Sequence, residues 1–133
     1  MNIKHILVII AIFTFHTMKS QTYIQNNIQE HLVNKKWSHN AGNKKITFLY
    51  KDTGVFHLYI DNTEIGTENY YVTTVSDCGT NPVSFDNSKI GQISQGNYIK
   101  TFRECFIIEI QSDYQKIRLK RAFSSKWIIY YLD

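Results

Sequence analysis

The sequence predicts an all-β fold of about eight short strands, an antiparallel up-and-down barrel or a sandwich, preceded by a short N-terminal helix. Three observations carry this. After Trp37, apolar residues come in short runs or alternate with polar ones, the period of a pleated strand. Gly, Asp, Asn and Ser clusters separate these runs at regular intervals. Helical spacing occurs once, near the start, and does not return.

Residues 1–20 have the layout of a signal peptide: Lys4, an apolar run from Ile6 to Phe15, then polar Thr17 to Ser20. The run is too short to span a bilayer, so cleavage near Ser20–Gln21 and a secreted or periplasmic product are expected, with no membrane span after signal removal. Residues 21–133 then form one domain with a single core. Two of the 15 basic residues, Lys4 and Lys19, leave with the signal, so 13 cations face 11 carboxylates, a formal charge of +2. That surplus is too small to argue for nucleic acid.

Ile24, Ile28 and Leu32 recur every fourth residue and predict a helix over Tyr23–Asn34. Ile46–Tyr50 and Val55–Ile60, joined by Lys51-Asp52-Thr53-Gly54, read as a hairpin. On its second strand Phe56, Leu58 and Ile60 share one face, and His57 and Tyr59 the other. Tyr70–Val75 is rich in strand formers. Asp77–Gln95 collects turn residues and is expected to be irregular, with a short strand around Lys89–Ile93. Asn97–Phe102, Glu104–Gln111, Gln115–Arg121 and Lys126–Leu132 complete the set, with turns at Ser112-Asp113-Tyr114 and Ser124-Ser125. The period puts Phe48, Phe106, Ile108, Ile110, Ile117 and Leu119 inside, and Glu109, Lys116, Arg118 and Lys120 outside.

The only two cysteines, Cys78 and Cys105, lie in the exported part, where a disulfide bond between them is expected. The segment Leu32-Val33-Asn34-Lys35-Lys36-Trp37, the hairpins around Gly54 and Ser112-Asp113, and a Cys in the loop after the fourth strand facing Cys105 resemble lipocalin-like (calycin-type) domains of small secreted bacterial proteins. The resemblance covers roughly Leu32–Leu132. It implies a helix, then a Trp at the start of the first strand, then a meander closing as a barrel. In the family's Gly-x-Trp signature Gly stands where this chain has Lys35, and Ser112-Asp113-Tyr114 stands where lipocalins carry Thr-Asp-Tyr.

No nucleophile elbow, phosphate loop or His-Glu-x-x-His motif occurs, so no catalytic residue, cofactor or metal is expected. His31, His39 and His57 lack the paired spacing of zinc ligands. The aromatic residues Trp37, Tyr50, Tyr59, Tyr71 and Trp127 are the candidate ligand-binding set, lining a barrel mouth for a small apolar or amphipathic ligand. Lys116, Arg118 and Lys120 form a surface basic stripe. It reads either as a site for an anionic envelope or protein partner, or as charge that keeps an edge soluble. The second function class is a barrel whose core is filled by Phe48, Phe56, Phe106 and Trp127, recognising a macromolecule or acting as an inhibitor through its outer surface.

Overall fold

The computed structural model describes residues 22–74, 78 and 84–133. The expected signal peptide lies outside the described residues, as does Val75. Eight strands form a closed antiparallel barrel: β2 (Lys36–Ala41), β3 (Lys44–Tyr50), β4 (Val55–Ile60), β5 (Thr63–Thr73), β6 (Tyr98–Thr101), β7 (Cys105–Gln111), β8 (Lys116–Arg121) and β9 (Ile128–Leu132). Their order around the barrel is their order along the chain, as a meander requires. The circle closes where β9 meets β2 over two register pairs, Trp37 with Leu132 and Ser38 with Tyr131.

Strand alternation fixes what points inward. Ile108, Ile110, Ile117 and Leu119 are buried, and Phe48, Phe56 and Phe106 pack against them. Leu58 lies in register with Phe48 and is half-buried. Lys116, Arg118 and Lys120 alternate with Ile117 and Leu119 and face outward, as the period predicts.

Three expectations are corrected. The helix, α1, covers only Ile28–Leu32, and Tyr23–Ile24 instead forms β1, paired with Gln111 and Ile110 of β7. Asn27 takes a left-handed conformation (φ 56°), which ends the extended segment and starts the helix. The four-residue spacing of Ile24, Ile28 and Leu32 therefore records a shared core, reached by the first from a strand and by the others from a helix. Second, β5 begins at Thr63, well before Tyr70. Its first half is polar and exposed, so it carries no apolar alternation. Third, Lys89–Ile93 is not a strand. Asn87–Lys89 is a 3₁₀ turn capped by Asp86, whose carboxylate accepts from the Ser88 N–H at 3.0 Å.

The two ends of the barrel differ. At one, α1 forms a plug: Ile28 and Leu32 are buried, the Trp37 indole N–H donates to the Leu32 carbonyl at 3.0 Å, and His31 stacks on Tyr114 of the β7–β8 turn at 3.7 Å. The other end carries the β2–β3, β4–β5 and β6–β7 turns and the β8–β9 loop. Cys78 of the excursion between β5 and β6 sits at disulfide distance from Cys105, their Cα atoms 5.6 Å apart. The excursion returns across the plugged end, where Gly54 and Gly91 approach so closely that a Cβ on Gly54 would lie 2.5 Å from the Gly91 nitrogen.

Candidate functional site

A cavity of about 360 Å³ occupies the barrel above the plug. Its wall is aromatic, from Phe48, Tyr50, Phe56, Phe106 and Tyr130, with Ile99, Leu119 and Ile128 between the rings. Phe48 meets Phe56 edge to face at 6.0 Å, and Tyr50 meets Tyr70 in the same way at 5.1 Å. These rings brace one another around the hollow instead of filling it. The volume lies near the lower end of the ~300–1,000 Å³ typical of small-molecule pockets.

Two polar groups stand in this wall. Tyr50 and Tyr130 are only 4% and 6% exposed, and neither hydroxyl has a hydrogen-bond partner among the described residues. Burial pushes the Tyr130 phenol up to about 12. Burial raises Tyr50 as well, reinforced by the neighbouring Tyr130 and Tyr70 phenols. Both therefore stay protonated at neutral pH and can donate to a guest. Tyr70, by contrast, donates to the Lys51 carbonyl at 2.6 Å.

The mouth is cationic. Arg121 ends β8 in register with Phe106, so it follows the inward face of the strand to the rim. Lys126 precedes Ile128 by two residues and reaches the same opening with Ser124 and Thr101. Both cations are exposed. Arg121 also pairs with Glu104 at 3.0 Å, so one carboxylate of this chain shares its charge.

Of the predicted ligand-binding residues, only Tyr50 lines the cavity. Trp37 is fully buried beneath it, against the plug. Tyr59, Tyr71 and Trp127 lie on the outer wall. Lys36 sits over the Tyr59 ring at 4.9 Å. Tyr71 is buried under the excursion, packed on Phe85 at 4.9 Å, and its hydroxyl accepts from the Asp86 N–H. Trp127 stacks with Arg118 at 4.3 Å and Lys120 at 5.0 Å. It is thus part of the basic stripe and does not fill the core.

The stripe is largely occupied by its own neighbours. Arg118 lies between Tyr23 and Trp127 and pairs with Glu109, while Lys116 covers Tyr131 at 5.3 Å. On the outer face of β6, Lys100 is fully buried, which its flanking sequence does not signal. Among the described residues, no three His, Cys, Asp or Glu side chains converge as metal ligands, and no helix is long and apolar enough to cross a membrane. No protein-family model, curated protein or solved structure matches the chain.

Proposed function

We propose that the protein is an exported, non-catalytic binding protein of lipocalin-like type that holds one small amphipathic molecule in the barrel, with its anionic end at the mouth. The observation that carries this reading is the polarity gradient of the cavity. An aromatic and aliphatic wall with two unpartnered phenols leads to a rim bearing Arg121 and Lys126. Apolar burial supplies most of the affinity, at about 25 cal/mol per Å² removed from water, and the few polar groups fix orientation. The cysteine pair at disulfide distance is compatible with an oxidising destination. Because Phe48, Phe56 and Phe106 line a hollow and Trp127 lies outside, the filled-barrel alternative has less support.

Neither tryptophan borders the cavity, so displacement of anilinonaphthalene sulfonate, checked by calorimetry, is the appropriate readout. Decanoate should bind saturably and more tightly than decanol, and decylamine should bind least. Replacing Arg121 and Lys126 together by Gln should bring decanoate down to the level of decanol. A K116Q/K120Q variant, altered only on the outer wall, should bind like the wild type. Failure of all three probes to bind saturably at millimolar concentration would overturn the reading.

A further inference from the structure

The cavity mouth is also the most apolar exposed part of the barrel end. Phe102, in the β6–β7 turn, is 71% exposed, and Phe123, in the β8–β9 loop, is 83% exposed. Large rings left this open on adjacent turns are costly in water unless something covers them. The two turns border one hollow of about 370 Å³, between Arg103, Arg121 and Phe123. The Phe102 ring meets the Phe85 ring edge to face at 6.3 Å, and most of its surface stays exposed. Among the described residues around these rings stand three exposed cations, Arg103, Arg121 and Lys126, against one carboxylate, Glu104, which is already paired with Arg121. Among the described residues, the other acidic side chains of this end, Asp61 and Glu64, belong to the β4–β5 hairpin on the opposite side of the barrel.

We propose that this side of the rim docks on an anionic lipid bilayer, with Phe102 and Phe123 entering the headgroup region and Arg103, Arg121 and Lys126 facing the lipid phosphates. Exposed aromatic side chains interleaved with Lys or Arg are what an interfacial surface requires. The rings contribute buried area, the cations contribute attraction to negative charge, and neither alone gives stable attachment. Docked in this way, the barrel opens toward the bilayer, and a guest passes between membrane and cavity without crossing bulk water. The docking itself does not depend on the cavity being filled.

Cosedimentation of the protein with vesicles tests this. Vesicles of phosphatidylcholine containing phosphatidylglycerol should carry the protein down. Pure phosphatidylcholine vesicles should carry much less, and added salt should weaken binding. The F102S/F123S double variant should lose vesicle binding while keeping anilinonaphthalene sulfonate displacement, because neither ring lines the cavity. R103Q should weaken binding about fivefold, the equivalent of ~1 kcal/mol for one cation at an anionic surface. An unchanged unfolding midpoint in R103Q separates this effect from misfolding. The proposal is overturned if the wild type ignores anionic vesicles, or if F102S/F123S still binds them. A concentration-dependent dimer in ultracentrifugation that F102S/F123S abolishes, without vesicle binding, would assign the rings to a second copy of the chain instead.

Discussion

Arg118 donates two hydrogen bonds to a single oxygen of Glu109, from Nε at 2.8 Å and from Nη2 at 2.5 Å. The pair bridges β7 and β8 in direct register. The guanidinium is also held between Tyr23 and Trp127, which brings the N-terminal strand and the β8–β9 loop to the same point. Replacing Arg118 by Ala should cost about 1–3 kcal/mol in urea unfolding, from the lost ring contacts and the orphaned carboxylate. Glu109→Gln, which keeps the shape and the rings, should cost less. Equal losses would place the whole effect in the ion pair.

The buried tyrosines set an upper pH limit on the fold. In the unfolded chain a tyrosine ionises near 10, but in the folded chain burial pushes Tyr130 up to about 12 and raises Tyr50 and Tyr70 as well. A raised folded value means that the stabilisation is complete below pH 10 and is lost as pH climbs toward the folded value. Stability should therefore fall steadily above pH 10. The tyrosinate absorbance of Tyr50, Tyr70 and Tyr130 should appear only with loss of the near-ultraviolet dichroism of the native state.

The excursion is fastened to the barrel at Gly96, where an added Cβ would lie 1.8 Å from the Thr73 carbonyl oxygen. No side-chain rotation relieves a clash with backbone. Gly96→Ala should consequently destabilise by at least ~2 kcal/mol, whereas Gly66→Ala, with nothing within 4 Å, should be nearly neutral. Differential scanning calorimetry of the two variants separates these outcomes.

Cys78 and Cys105 are 27 residues apart in sequence. Closing a loop of this length restricts the unfolded chain, so Cys105→Ser should lower stability by about 2–4 kcal/mol. Intact-mass analysis after alkylation without reductant should find no free thiol in the wild type.

The fold was legible wherever one face of a strand is buried. β3, β4, β7, β8 and β9 start and end within two residues of the runs that alternation marks. The first half of β5 was not legible, because Thr63 to Asn69 has no core to face. β1 was hidden because two residues are too few to show a period. For the site, aromatic identity was a poor guide, since it does not say which wall a ring belongs to. Parity does. Tyr59 follows inward Leu58, and Trp127 precedes Ile128, so both belong outside. The same count carries Arg121 inward from Ile117 and Leu119, and Lys126 inward from Ile128. The two rim cations were thus readable from the strand pattern, but the exposure of Phe102 and Phe123 was not, because turn residues follow no alternation.

The seam between β2 and β9 bears on how the barrel assembles and how it yields. Apart from β5 and β6, which the excursion separates, the other neighbouring barrel strands are close in sequence, but Trp37 must find Leu132 across nearly the whole folded chain. Two register pairs with one further backbone hydrogen bond, from the Asp133 N–H to the Lys36 carbonyl, join the strands. Forming that contact early would mean closing a very long loop for little return. The meander should therefore grow as an open sheet, with the seam joined last. The same arithmetic run backwards makes it the first place to part in the native state. Amide exchange at Ser38 and Tyr131 should then be faster than at Ile108 or Ile117, whose strands are paired on both sides by longer ladders.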